Sequence, residues 1–427
     1  MNYPVWQLEF LGGGFLIAVI AIIHVYIAQF AVGGGLFLVL TEHLARRKND
    51  PNILDYVRKH TRFFMLLTLV FGALTGVGIW FTISLLNPSA TSVLIHTFVF
   101  AWGTEWTFFV IEIVSIFIYY YTFTTLSQRN HLIIGWIYFG AAWMSLFVIN
   151  GIIDFMLTPG AWVENNNFWS GFFNPTFWPA LFFRTFFSIM IAGLFGFLTA
   201  SFIKDKELRT TMLRYCAKWL LVPFVLFLAS SWWYRASLPP HIDQIIFQKM
   251  PQLRNAITIF LACSPLLILG GLIMAIRMPS GLSRTMAAVM LVIGLMNFGA
   301  FEFLREGGRR PYIIYDYMYS NAILKKDMDQ VAEAGVLNQA KWVEHRRVTP
   351  YNINAAGKEL FNVLCLSCHS VGGPLNDIRQ QVRRSSPEEL NLIFTTMGNE
   401  RPYMPPFAGN NFEKHVLINY LNTIIRK

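Results

Sequence analysis

The sequence predicts an all-α fold: a polytopic membrane bundle of about eight transmembrane helices with a small all-α domain at its C-terminal end. Composition points there first, since the 427 residues are 55% hydrophobic, 16% aromatic and only 14% charged, far more apolar than a soluble domain of that length. The apolar residues also fall in runs long enough to cross a bilayer, for which about twenty residues suffice. These are roughly 10–40, 63–86, 93–126, 132–157, 180–203, 212–234, 256–276 and 286–304, each able to satisfy its own backbone hydrogen bonds as a helix in lipid. The character then changes near Pro350. Residues 354–364 and 412–425 carry the spacing of amphipathic helices, with Val416, Tyr420 and Ile424 on one face of the second. The chain therefore divides into a transmembrane part, 1–315, a charged linker, 316–349, and a final domain, 350–427, with no repeat or low-complexity tract.

Lys and Arg set the orientation. Six lie between the first two runs (Arg46, Arg47, Lys48, Arg58, Lys59 and Arg62), one after the third (Arg129), five after the fifth (Lys204, Lys206, Arg209, Arg214 and Lys218) and two after the seventh (Arg277 and Arg284). Connections of the opposite parity hold none after the second or fourth run and three after the sixth (Arg235, Lys249 and Arg254). The positive-inside bias makes the first set cytoplasmic and places both termini outside. Residues 1–14 have neither a basic n-region nor a small-residue cleavage site, so the first run reads as a retained helix. Most of the +10 net charge faces anionic lipid at the inner surface, and nothing signals nucleic-acid binding. Cys216 and Cys263 lie singly in spans, which indicates no disulfide.

The most specific motif is Cys365-Leu366-Ser367-Cys368-His369. C-x-x-C-H is the attachment signature of a covalent haem c: two thiols form thioethers and the adjacent His369 becomes the proximal iron ligand. Downstream, Arg401-Pro402-Tyr403-Met404-Pro405-Pro406-Phe407 offers Met404 in a stiff proline-rich loop as the second axial ligand, with Met397 as a substitute. The segment from about 350 onward resembles a small class I cytochrome c. A zinc or redox C-x-x-C is the alternative. Haem c attachment takes place on the outer face of the membrane, in keeping with an outside C-terminus.

Ionisable groups inside spans are costly and mark function. They are His24 in the first run, His96, Glu105 and Glu112 in the third, Asp154 in the fourth, Arg184 in the fifth, and Glu302, Arg305 and Glu306 at the outer end of the eighth. Glu105 and Glu112 are seven apart and so share a helix face, which suggests a proton route; two carboxyls neutralised by burial are the alternative reading. Asp154 is a partner for Arg184 by membrane depth. His60 reads as an inner-interface residue, with a haem-ligand role as the alternative, His96 as a propionate partner or replacement ligand, and His43, His131 and His241 as loop or interface positions.

In order along the chain, these pieces resemble subunit I of the cytochrome bd-type quinol oxidases over roughly 5–315. The resemblance rests on Ile22-Ile23-His24-Val25-Tyr26, on the paired glutamates, and on Arg305-Glu306-Gly307-Gly308-Arg309-Arg310-Pro311-Tyr312, which looks like the family's E-x-G-R-Q-P-W segment. It implies that His24 and Glu306 each ligate a high-spin haem and that Arg309 and Arg310 pair with propionates. The chain departs from the family elsewhere. Arg184 stands where the family has the His ligand of its low-spin haem b, and Ala256 where it has the Met ligand, which implies that this haem is absent. The outer quinol-binding loop is reduced to about residues 235–254, and a ninth span is missing. Together with the attached cytochrome domain, these changes imply that electrons come through the c haem.

The expected cofactors are one covalent haem c and two noncovalent haems of type b or d. The expected function is a respiratory cytochrome c-linked, bd-like oxygen reductase subunit of the bacterial inner membrane, taking protons past Glu112 and Glu105. Its partners are other membrane subunits, a periplasmic cytochrome c or similar donor, and the bilayer. The alternatives are an electron relay between quinol or a respiratory complex and periplasmic cytochromes, without oxygen chemistry, and a structural anchor for the cytochrome domain.

Overall fold

The computed structural model describes residues 3–276 and 283–425 and is almost wholly helical. Eight helices are long and apolar enough to cross a membrane: α1 Gly13–Lys48, α2 Pro51–Leu86, α3 Val99–Tyr121, α4 Gln128–Phe155, α5 Phe177–Ala200, α6 Lys206–Ala236, α7 Pro251–Ile276 and α8 Ser283–Gly308. Two four-helix groups, α1–α4 and α5–α8, join along α1, which packs on α2, α4, α5 and α8. α5 is the interior helix, with 72% of its apolar window buried against 11% for α2, which keeps a broad apolar face outward.

The connection between α1 and α2 is only two residues long, and its sequence explains it. Asn49 takes the left-handed conformation that ends α1 (φ 51°), the Asp50 carboxylate accepts from Asn52 and Ile53 N–H, and Pro51 opens α2. The six basic residues expected in a loop are therefore the ends of two helices that run past the apolar zone. Arg277, in the connection after α7, lies outside the described residues. The third predicted span, 93–126, is two helices, Pro88–Thr97 and α3. Phe98 leaves helical geometry between them (φ −120°, ψ 29°) and is wholly buried against Phe155 and Phe168. Packing overrides a continuous apolar pattern at that point, and His96 belongs to the outer short helix and not to the span.

The even-numbered connections, the N-terminal segment and everything after α8 gather at one end. There β1 (Tyr312–Ile314) pairs antiparallel with β2 (Met318–Tyr319), and Tyr315 N–H donates to the Met156 carbonyl at the end of α4. A second core follows, built by α9 (Ile353–Leu364), α10 (Ile378–Val382), α11 (Pro387–Glu400) and α12 (Asn411–Ile425). α9 crosses α12 closely, which requires Gly357: a Cβ there would lie 2.6 Å from Tyr420 Cβ and 2.8 Å from the Val416 carbonyl. Part of 316–349 joins this core, since Val331, Val336 and Leu337 are buried in it and Glu413 accepts the N–H groups of Val336 and Leu337 at 2.9 and 2.8 Å.

Candidate functional site

His24 lies a third of the way along α1 and turns toward α2. Its Nδ1 is 3.1 Å from Thr75 Oγ1, whose own hydrogen goes to the Phe71 carbonyl at 2.6 Å. The hydroxyl can then only accept from the ring, so Nδ1 carries the proton and Nε2 keeps a free lone pair. Gly76 leaves room for the ring: a Cβ there would stand 3.0 Å from His24 Cε1. Thr75 and Gly76 follow a widened turn, Leu66–Gly72, where α2 winds as a π-helix, a distortion often found at working positions. α1 meets α8 through other residues, since Tyr26 donates to the Leu291 carbonyl at 3.2 Å and Ile22 packs on Gly299.

At the C-terminal end of α8, Arg309 binds both carboxylate oxygens of Glu306. Arg309 also donates to the Ile313 carbonyl at 2.8 Å and reaches Met156 Sδ at 3.0 Å. Arg310 lies 3.6 Å from Glu306 and sends Nη1 to Cys368 Sγ at 2.9 Å. The C-x-x-C-H segment is thus seated directly on the end of α8, a contact between positions 58 residues apart.

Within that segment, His369 Nδ1 lies 2.9 Å from the Asn376 carbonyl. A carbonyl only accepts, so Nδ1 is the protonated nitrogen and Nε2 is free, as for His24. Withdrawal from water, with Arg310 and Arg401 nearby, holds His369 below the usual imidazole range and so neutral. Burial pushes the Cys365 thiol up to about 12, the opposite of the lowered value typical of a redox-active or metal-binding thiolate. Among the described residues, the group with ligand atoms close enough together for an ion is Glu344, His345 and Glu359, which includes neither cysteine. Cys365 and Cys368 are free thiols. The donor set, two thiols and one imidazole whose Nδ1 is tied to a carbonyl, fits a covalently held haem. Met404 sits in the loop between α11 and α12, where its N–H closes a turn onto the Arg401 carbonyl at 2.8 Å.

Glu105 and Glu112 share a face of α3. Glu112 is buried and Glu105 half-buried, and Ser145 of α4 donates to Glu105 at 2.9 Å. Arg184 is enclosed in α5, 3.6 Å from Asp154 and 3.4 Å from Glu302, which also takes Arg305 at 2.9 Å. Sequence reading anticipated the Asp154–Arg184 pair but not its extension to Glu302.

Three histidines sit otherwise than expected. His60 is no interface residue: it is 1% exposed, with Nδ1 2.8 Å from Thr199 Oγ1. His131 is not in a loop but wholly buried in the first turn of α4. Its Nδ1 lies 2.8 Å from Glu42 and its Nε2 2.8 Å from the Tyr119 carbonyl, while Tyr119 Oη and Arg46 Nε each donate to Glu42 at 2.6 Å. That cluster escapes sequence reading because the apolar run of the fourth span begins only at 132, whereas its helix begins at Gln128. The available signal was a Glu42–Arg46 pair at i, i+4 ahead of the basic run. His96, by contrast, is exposed, with Nδ1 2.7 Å from the Ser92 carbonyl.

Eight helices among the described residues that are long and apolar enough to cross a membrane, carrying buried histidines and carboxylates, are the fold of a multi-pass membrane protein. Residues 15–233, just over half of the chain, match the family described as cytochrome bd terminal oxidase subunit I, and the chain belongs to that family. Among solved structures it is similar to the bd oxidase from Geobacillus thermodenitrificans, with a TM-score of 0.61 and 17% sequence identity over 70% of this chain and 87% of that one. At that identity the likeness is one of fold. No curated protein matches the chain. Membership makes the protein a respiratory, haem-containing oxidoreductase-like membrane subunit and implies noncovalent haem b or d. The family match covers α1 to α6 and ends before Glu306 and the C-x-x-C-H segment.

Proposed function

We propose that the protein is a bd-like oxygen reductase subunit that takes electrons from a periplasmic cytochrome or similar donor through its own haem c domain, residues 350–427. Cys365 and Cys368 would hold that haem, with His369 and Met404 on either side of its iron. His24 and Glu306 would ligate two noncovalent haems, which supply oxygen binding and one-electron transfer when bound. The observation that carries the reading is the seating of Cys368 against Arg310, one turn from Glu306. It puts the segment of the attachment motif and the end of α8 in direct contact, with no separate carrier needed between them. The enclosure of Arg184 by Asp154 and Glu302 supports the same reading, because a charged network occupies the region where the resembling family keeps its low-spin haem b.

The chain's own residues would do three things. His24, with Nδ1 fixed by Thr75, offers a lone pair of set direction. Glu112 and Glu105, with Ser145 between α3 and α4, pass protons inward from the cytoplasmic side. The basic ends of α1 and α2 keep that side inside, so that both termini are periplasmic in a bacterial inner membrane.

Carbon monoxide difference spectroscopy on the purified complex, with oxygen uptake driven by reduced cytochrome c, tests this. Wild type should show a carbon monoxide-reactive haem and take up oxygen. His24→Ala should lose both while its haem c stays reducible. A wild-type protein without any carbon monoxide-reactive haem refutes the oxidase reading and leaves the electron relay.

A further inference from the structure

The joint between the two candidate sites is made by a side chain that the resembling segment lacks. E-x-G-R-Q-P-W has Gln before its Pro; this chain has Arg310. Arg310 Nη1 is 2.9 Å from Cys368 Sγ and 2.9 Å from Ser320 Oγ, and Nη2 is 3.6 Å from a Glu306 oxygen. Ser320 spends its own hydrogen on the Pro311 carbonyl at 2.7 Å, so it accepts from the guanidinium. The Arg310 side chain is 16% exposed. Its neighbour Arg309 spends its donors on Glu306, Ile313 and Met156 instead.

We propose that Arg310 is a positioning residue shared by the two sites, which seats the C-x-x-C-H segment on α8 and holds the potential of its haem above what the motif would have without it. The proposal rests on reading Cys365, Cys368 and His369 as a haem c attachment. A guanidinium keeps its charge at every working pH. Largely withdrawn from water, it is weakly screened. Ferric haem carries one more positive charge than ferrous haem, so a fixed cation beside the attachment cysteine disfavours the oxidised form. The same guanidinium lies between Cys368 and Glu306. A single electron crossing there leaves one ferrous iron and reduces one ferric iron, with no bond made or broken.

The test is a spectroscopic redox titration of the haem c α-band in the purified complex, wild type against Arg310→Gln, Arg310→Lys and Arg309→Gln. Gln is of similar length and is the residue of the resembling segment, so the variant should fold. Arg310→Gln should shift the ferrous-to-ferric ratio at fixed poise about tenfold toward ferric, about 59 mV for one electron. Arg310→Lys should recover most of that shift, and Arg309→Gln should move it far less. A haem c that titrates identically in wild type and Arg310→Gln overturns the proposal. A wild type that gives no covalent haem stain at 49.0 kDa, as Cys365→Ala with Cys368→Ala should, overturns the haem c reading itself and this inference with it.

Discussion

His24 and His369 are prepared in the same way, although one lies in a membrane helix and the other in the outer domain. Each gives its Nδ1 proton to a neighbour that can only accept, Thr75 in one case and the Asn376 carbonyl in the other. Each therefore presents Nε2 as the basic nitrogen, and the partner fixes the ring plane as well as the tautomer. Spacing makes the proposed role of His369 legible, since C-x-x-C-H singles it out without a structure. Nothing local distinguishes His24 from a core histidine, and only its acceptor on α2 shows the preparation. Met404 is the residue whose role is most open to measurement. Met404→Ala should leave the haem attached and lower its potential, because the thioether favours the ferrous form. An unchanged potential with an unchanged thioether absorption band would move the ligand role to another residue, with Met397 first in line.

At the scale of elements, the eight spans were legible because lipid demands long apolar helices. The breaks and ends were not, because packing and capping decide them. Phe98 interrupts an apolar run that hydropathy reads as continuous, and its burial against Phe155 and Phe168 is a tertiary fact. The ends of α1, α3 and α4 meet at the inner side through Glu42, Arg46, Tyr119 and His131, and no single segment reveals that meeting. Glu42 takes hydrogen bonds from Arg46 and Tyr119 and faces His131 Nδ1, while Nε2 of the same ring has only a carbonyl to donate to. The geometry is that of a buried carboxylate facing a guanidinium and an imidazole. Glu42→Gln should leave both without compensation and cost about 3–5 kcal/mol, the usual range for breaking a buried pair. Thermal unfolding of the detergent-solubilised protein checks this, and a melting temperature within a degree of wild type would show that the cluster contributes little.

For the whole molecule, the sequence announced two bodies but not how they meet. The N-terminal segment and the last domain are bound together: Glu9 pairs with Lys358 at 2.7 Å, its carbonyl accepts from Val371 N–H at 2.7 Å, and Gln7 accepts from Asn362 at 2.7 Å. Apolar contacts add to these, since Leu375 packs on Gly12 and Gly14, and Val331, Val336 and Leu337 of the connecting segment are buried in the domain's core. Tethering changes their weight, because a short connection holds the domain at a local concentration in the millimolar range for a flexible linker. A protease site inserted at the exposed Arg346–Arg347 pair should leave the cut domain in place at every dilution, because Val331, Val336 and Leu337 remain buried in its core, and size-exclusion chromatography would check this. Release on dilution would mean that those contacts do not suffice without the tether. The two-residue turn after α1 has a related consequence for how the chain is made. Because Asn49, Asp50 and Pro51 leave no slack, α1 and α2 form a hairpin as soon as they are synthesised. Residues 3–12 then wait for partners, Lys358, Asn362 and Val371, that are translated long after them.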